Sequence, residues 1–307
     1  MVLVLSILAA ILIIFGGASL FMGYKLATPK RTLPSITPAD WGLRFEDFSA
    51  QGKAGAIKGW LFPTISAQGW DAPFIVLVHG RDENRAYVYS DRRLRLDASV
   101  PCPFTVERLV ARLVSWSNVV TYDQRAHGES EGRRSTFGYG EGEDIQKVID
   151  YLVERRGAKK IALVGWSLGG SAAILEAAND PRVAAVVVDS SFAVASELLE
   201  NAARRMGYPA WLMSFGVLGM RFFGMDINKA RPIDQIGGIK GPILIIHGEK
   251  DPLIPVEQAE RLQAAASDAQ LWVVPGVGHC EAISCHTDEY VNRVEEFLKS
   301  ALGVEQQ

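Results

Sequence analysis

The stretch IALVGWSLGGSAAILEAA, Ile161 to Ala178, decides the reading of this chain. Ile161 to Val164 is a short unbroken apolar run of the kind that fills a buried strand, and Ser171 to Ala178 has the Ala and Leu content of a helix. Ser167 lies between the two, flanked by Gly165 and Gly169 with Gly170 following. A serine on a sharp strand-to-helix turn takes a strained backbone conformation, and neighbours without a Cβ relieve the crowding. Its hydroxyl is pushed into the open, where the amides and positive end of the following helix face any negative charge that develops.

Working outward, short apolar runs alternate with helix-like stretches. Buried strands are expected at FIVLVHG (Phe74 to Gly80), NVVTYDQ (Asn118 to Gln124), KIALVGWS, VAAVVVDSS (Val183 to Ser191), PILIIHGEKD (Pro242 to Asp251) and QLWVVPG (Gln270 to Gly276). LRFEDFSA and IKGWLFP precede them as an opening antiparallel pair. Between the runs lie helical segments such as GEDIQKVIDYLVERRG, whose Ile145, Val148, Ile149 and Leu152 share one face. This alternation implies a mostly parallel sheet covered on both sides, with chemistry at the carboxyl ends of the strands. Two segments exceed simple crossovers. Arg81 to Pro103 is read as a surface excursion near the site, and the apolar stretch between Phe192 and Gly237 as a helical cap.

Asp251 falls just past one expected strand and His279 just past the next, giving the chain order Ser, Asp, His. Together VLVHG, YDQRAHGES, GWSLGG, HGEKDPLIP and GHCEAI resemble the α/β-hydrolase superfamily, in particular its serine aminopeptidase/monoglyceride-lipase-like branch and the membrane-anchored hydrolases carrying YDxRGHGxS. The resemblance covers roughly residues 45–302. It implies an α/β-hydrolase fold, with Ser167 as nucleophile, His279 as the base that takes and returns its proton, and Asp251 as the acid that fixes the imidazole. It assigns the oxyanion donors to the backbone amides of Arg81 and Leu168; one such donor is typically worth about 3 to 4 kcal/mol of barrier. Asp189, at the end of VVVDSS, is the alternative acid. Ala126 stands where the family usually carries glycine, a departure that adds a Cβ in a tight loop.

Other polar residues have structural readings. His79 is expected to scaffold the oxyanion turn, His127 to make a structural hydrogen bond, Asp123 and Arg125 to form an ion pair, His247 to pack beside the acid loop, and His286 to sit on the surface. Cys280 reads as a neighbour of the base whose thiol could confer oxidation sensitivity. Cys102, Cys280 and Cys285 make no disulfide framework, although the last two could pair in an oxidising compartment.

The chain has 307 residues, a net charge of -3 and 48% hydrophobic content, an ordinary globular composition without a basic field for nucleic acid. The histidines form no HExxH or zinc spacing, so neither a metal nor another cofactor is implied. Residues 1–24 differ from the rest: no charged side chain precedes Lys25. As a helix, Val2 to Met22 would extend about 31 Å, which suits an uncleaved transmembrane anchor; a signal peptide competes but lacks a basic start and an A-x-A cleavage site. Lys25, Lys30 and Arg31 just after it favour a cytoplasmic catalytic domain. Residues 25–42, with three prolines, read as an extended linker, and residues 43–307 as the catalytic domain with a cap insertion at about 192–237.

The cap's apolar residues cannot all share one helix face. The substrate-contact candidates are Trp166, Trp211 and Phe215. An anchor combined with an apolar cap favours an ester or thioester carrying an acyl chain, such as a membrane lipid. A serine aminopeptidase and a catalytically silent membrane-tethered binding protein are the alternatives.

Overall fold

The computed structural model describes residues 2–89, 104–209 and 211–304. Among these, an eight-stranded sheet runs in the order β1 (Glu46–Gly52), β2 (Gly55–Phe62), β6 (Asn118–Tyr122), β3 (Phe74–Val78), β7 (Ile161–Trp166), β8 (Val183–Asp189), β9 (Ile243–Gly248) and β10 (Gln270–Val274). β1 and β2 pair antiparallel, as do β2 and β6, and every later pairing is parallel. A separate short ribbon joins β4 (Tyr87–Tyr89) to β5 (Phe104–Thr105).

The parallel strands are buried on both faces, which is why they read as unbroken apolar runs. Alternate residues feed two cores. Ile75, Leu77, Val164, Val187 and Ile246 pack under α2 (Glu107–Leu113) and α9 (Thr287–Leu302). Phe74, Val76, Leu163, Val188 and Ile245 pack under α3 (Tyr139–Arg156), α4 (Leu168–Ala177) and α7 (Glu257–Ala265). α3 starts where Glu141 turns back to accept from the amides of Thr136 and Gly138, and stops at Gly157, whose φ of 68° is the left-handed conformation that ends helices.

The cap lies between β8 and β9. It contains α5 (Ala195–Arg205), α6 (Leu212–Phe222) and three short 3-10 turns from Ile227 to Gly238. α8 (Ala282–Cys285) follows the His279 loop.

The N-terminus is helical, as α1 (Val2–Ala27), but it is not an isolated rod leading into a loose linker. Among the described residues, no helix is long and apolar enough to cross a membrane. The C-terminal half of α1 instead packs along α6: Phe15 stacks on Phe215 at 5.5 Å between ring centroids, and the Ser19 hydroxyl donates to the Phe215 carbonyl at 2.6 Å. A Cβ at Gly23 would collide with the backbone of Gly219 and Met220, so the two helices meet backbone to backbone.

The proline-rich segment that follows is strapped to the body rather than free. Arg31 donates to the carbonyls of Gly128 at 2.7 Å and Ser130 at 2.6 Å, Lys30 offers its amide to Asp82 at 2.7 Å, and Trp41 stacks on Phe62. Prolines do exclude a long helix here, but tertiary hydrogen bonds, invisible in local composition, fix the extended chain.

The excursion after β3 is not a surface loop at its start: Glu83, Asn84 and Arg85 are buried. Residues 90–103 of the excursion, including Cys102, lie outside the described residues. Arg85 also alters the expected pairing of Asp123 with Arg125. Asp123 instead takes Arg85 at 2.9 Å, and Arg125 forks onto Asp144 of α3 at 2.6 and 2.8 Å. Both acids are buried and each obtains a cation in a geometry that Asp123 and Arg125, two residues apart, do not offer each other.

Candidate active site

The turn between β7 and α4 holds Ser167 at φ 51° and ψ -118°, outside the favoured regions for an L-residue. Glycine is required on both sides for space rather than for φ. A Cβ at Gly165 would enter the backbone of Gly169 and Gly170, and one at Gly169 would run into the carbonyls of Val78 and His79 at the end of β3. Removing both lets α4 start immediately after the serine and close against the sheet. Ser167 is left half-buried, with its hydroxyl on the strand-end side.

Two further strand ends bring in the partners. The imidazole of His279, on the loop after β10, reaches the Ser167 hydroxyl through Nε2 at 3.0 Å and the Asp251 carboxylate through Nδ1 at 2.6 Å. Asp251 follows β9; its other oxygen accepts from the amides of Leu253 and Ile254 at 2.8 and 2.9 Å. These bonds fix the carboxylate, and an Nδ1–H donated to it leaves Nε2 as the lone pair facing the serine.

Burial pulls the pKa of His279 down, but the adjacent Asp251 charge and the hydrogen bond to its carboxylate hold it well above the usual histidine value. Burial pushes Asp251 up, and the His279 charge with its hydrogen bond outweighs that, leaving the carboxylate below its ordinary value. A carboxylate held ionised beside the ring is the arrangement that stabilises an imidazolium.

Asp189, the alternative acid, is close by but engaged elsewhere. It accepts from Ser190 Oγ at 2.9 Å, while burial pushes its pKa up to about 7. Ser190 Oγ in turn accepts from the amide of Cys280 at 2.9 Å, pinning the residue after His279, whose φ is 55°. Ser190 was not singled out from sequence. Its position directly after a strand-ending aspartate is the signal it carries.

Leu168 is the first residue of α4, and Arg81 follows the His79–Gly80 turn after β3. His79 stiffens that turn: Nδ1 bonds the Gly80 carbonyl at 2.6 Å and Nε2 accepts from the Gln124 amide at 3.0 Å. The guanidinium of Arg81 reaches back to the carbonyl of Leu26 at 2.7 Å and stacks over Phe137. His127 bonds the Arg125 carbonyl through Nδ1 at 2.8 Å, and His247 bonds the Ile254 carbonyl through Nε2 at 2.8 Å, beside the acid loop. His286 is exposed.

The substrate-contact candidates are not gathered at Ser167. Trp166 is fully buried, donating its indole N–H to Tyr290 Oη at 3.0 Å, because strand alternation sends it into the core when its neighbour Ser167 points out. Phe215 is sandwiched between Phe15 and Trp211, and Trp211 is 61% exposed on the outer side of α6. The apolar cluster that includes Leu168 is built instead from Phe192, Leu199, Met213, Met220, Ile254 and, from α1, Leu26 and Ala27. The contribution of α1 was missed from sequence because it read as a separate anchor. Cys280 is a buried thiol pushed up to about 11 by burial, so it has little thiolate for oxidation, and the Cys280–Cys285 bridge is not made.

Residues 75–293 match the family model described as Alpha/beta hydrolase family. The chain belongs to the alpha/beta hydrolase family. This alpha/beta hydrolase is 26% identical over 278 residues to the uncharacterized protein YfhR of Escherichia coli (strain K12), covering 87% of this chain and 84% of that one. It is 29% identical over 188 residues to the uncharacterized protein YqkD of Bacillus subtilis (strain 168), a match spanning 59% of this chain and 62% of YqkD. The alpha/beta hydrolase domain-containing protein WAV2 of Arabidopsis thaliana is 28% identical over 241 residues, 76% of this chain and 70% of that one. Among solved structures, the Pyrococcus furiosus esterase Pf2001 superposes with a TM-score of 0.70 at 23% identity, covering 90% of this chain and 98% of the esterase. The Pyrococcus horikoshii acylaminoacyl peptidase shares the fold at a TM-score of 0.63 and 17% identity, over 86% of this chain and 43% of the peptidase.

Proposed function

We propose that this alpha/beta hydrolase is a serine hydrolase that cleaves carboxylic esters of acyl or lipid-like substrates through an acyl-Ser167 intermediate. The observation that carries the reading is the line from Ser167 Oγ through His279 Nε2 and Nδ1 to Asp251, with bonds of 3.0 and 2.6 Å, ending on a half-buried hydroxyl.

In the proposed reaction Ser167 Oγ attacks the ester carbonyl while His279 Nε2 takes its proton. The carbonyl oxygen becomes an oxyanion facing the amides of Leu168 and Arg81. Collapse breaks the carbon–oxygen bond to the alcohol, which takes the proton from His279 and leaves. Water then attacks the acyl-serine carbonyl, losing a proton to His279, and the proton returns to Ser167 Oγ as the carboxylic acid departs. Asp251 stays ionised throughout, steadying the imidazolium formed in each half.

The acyl preference rests on the apolar cluster of Phe192, Met213, Met220 and Ile254 beside Leu168. We assign α1 a role in attaching the enzyme to a lipid surface. Its stretch from Val2 to Tyr24 carries no charge, and Ile13, Ile14 and Phe21 are exposed. Hydrolysis of p-nitrophenyl esters of increasing acyl length tests the reading. Turnover is expected to favour medium or long chains and to vanish in Ser167→Ala; near-wild-type turnover in that variant would sink the mechanism.

A further inference from the structure

α1 and α6 are both apolar, and they are packed as one unit. The contacts advance together along the two helices, from Phe15 on Phe215 through Ser19 and Gly23 beside Gly219 to Tyr24 on Phe223. The helices therefore run in the same direction and end at the same level. Their seam is made of small residues, Ser19 and Gly23 from α1 with Gly216 and Gly219 from α6, which lets the backbones approach closely. Close small-residue seams are how helices associate where lipid rather than water surrounds them, since apolar side chains gain little there by leaving their surroundings.

Away from the seam, both helices leave large apolar side chains uncovered. Ile14 is 67% exposed and Phe21 64% on α1; on α6, Leu218 is 50% exposed and Phe222 73%. Trp211, Leu218 and Phe222 recur at helical spacing, so they form a stripe rather than scattered exposures. Neither Val2–Ala27 nor Leu212–Phe223 contains an acidic residue. The charged groups sit at the shared C-terminal end and are basic: Lys25 over Phe21, Arg221 exposed on α6, and Arg134 over the Phe223 ring with its guanidinium on the Phe223 carbonyl at 2.9 Å. An apolar face with a basic and aromatic rim complements acyl chains bordered by anionic headgroups.

We infer that the outer face of α6 is itself a lipid-contacting surface, inserted into the same anionic phospholipid bilayer as α1, so that the cap and not the N-terminal helix alone is seated in the membrane. This extends the lipid-surface attachment of α1 proposed above and rests on it. The two helices cannot separate without opening their backbone seam, so lipid contact by the exposed side of α1 at Phe15 to Tyr24 brings α6 to the same surface. The inner sides of both helices reach the apolar cluster at Leu168 through Met22, Leu26, Met213 and Met220.

The test uses nitroxide labels on the full chain at Phe21→Cys, Leu218→Cys and, as a control on α7, Glu260→Cys. Each is made in a Cys102→Ser/Cys285→Ser background, the buried Cys280 being left in place. Collision with oxygen and with a water-soluble nickel chelate is read with and without vesicles of phosphatidylcholine and phosphatidylglycerol. The labels at 21 and 218 are expected to show a severalfold rise in the oxygen-to-nickel ratio with vesicles, and the label at 260 no change. A label at 218 that stays open to nickel while 21 becomes immersed would overturn the inference about α6 and leave α1 attachment standing. A label at 218 shielded from both reagents with spin–spin broadening would overturn it in favour of a second copy of the chain. If 21 also stays in water, both attachment proposals fail. A companion variant, Leu218→Ser/Phe222→Ser, is expected to bind the same vesicles about tenfold more weakly while hydrolysing a water-soluble ester at the wild-type rate; unchanged binding would contradict the inference.

Discussion

Arg81 donates from its guanidinium to the carbonyl of Leu26 at 2.7 Å, which ties the turn after β3 to the last residues of α1. The next residue, Asp82, sits at φ 66° and is held by the Lys30 amide on its carboxylate and by the Thr32 hydroxyl on its carbonyl at 2.9 Å. An amide proposed to meet an oxyanion is thus positioned partly by the N-terminal segment. Arg81→Met keeps that amide and removes the tie. We expect kcat to fall about tenfold with KM little changed, about 1.4 kcal/mol of transition-state stabilisation. Arg81→Lys should recover part of the loss; equal kcat in wild type and Arg81→Met would show that the tie does not position the donor.

The pH profile follows from the direction of the His279 shift. The proposed base works only when neutral, and its pKa lies well above the ordinary 6.5. Activity should therefore be lost as pH falls through a value above that of an unperturbed histidine. Asp251→Asn removes the main cause of the shift, so the acid limb should move to lower pH while the plateau rate drops by about 10⁴. Profiles of kcat/KM for both proteins check the two effects together, and an unmoved limb would contradict the assignment of Asp251.

Ala126, which stands where the resemblance expects glycine, adopts a φ of 63° and is buried. A left-handed L-residue costs roughly 1 to 2 kcal/mol, while glycine's extra unfolded-state freedom costs about 0.5 to 1. Ala126→Gly should raise stability by about 0.5 to 1 kcal/mol, visible as a higher urea midpoint at unchanged slope.

Glu176 on α4 is pushed up to about 8 by burial first and by the nearby Asp180 second, from an ordinary 4.5. A carboxyl group whose folded pKa is raised binds its proton more tightly in the folded state. Its stability contribution is complete below about 4.5 and is lost as pH rises towards 8. Glu176→Gln should flatten the pH dependence of the urea midpoint across that window; parallel curves for the two proteins would refute the shift.

Strands and site were readable for the same reason. Parallel strands buried on both faces leave unbroken apolar runs, so strand starts could be placed at Ile161 and Gln270, and at Pro242, one residue ahead of Ile243; chemistry at strand ends then pointed to Ser167, Asp251 and His279. What could not be read depends on which distant groups meet. Asp123 and Arg125 are neighbours in sequence, yet their partners are Arg85 and Asp144. Trp166 adjoins Ser167 but alternation turns it inward to Tyr290. The proline-rich segment has no core of its own, and only the carbonyls offered by Gly128 and Ser130 show why Arg31 holds it. The pairing of α1 with α6 had a visible trace in the spacing of Ser19 and Gly23 and of Gly216 and Gly219, small residues on one side of each helix.

The most direct test of the central claim is intact-mass and peptide analysis of the purified protein after reaction with a fluorophosphonate. The account predicts one stoichiometric adduct on Ser167, absent from Ser167→Ala and strongly slowed in a His279→Ala variant. A folded protein that remains unmodified, or an adduct on another residue that survives Ser167→Ala, would contradict a nucleophilic Ser167.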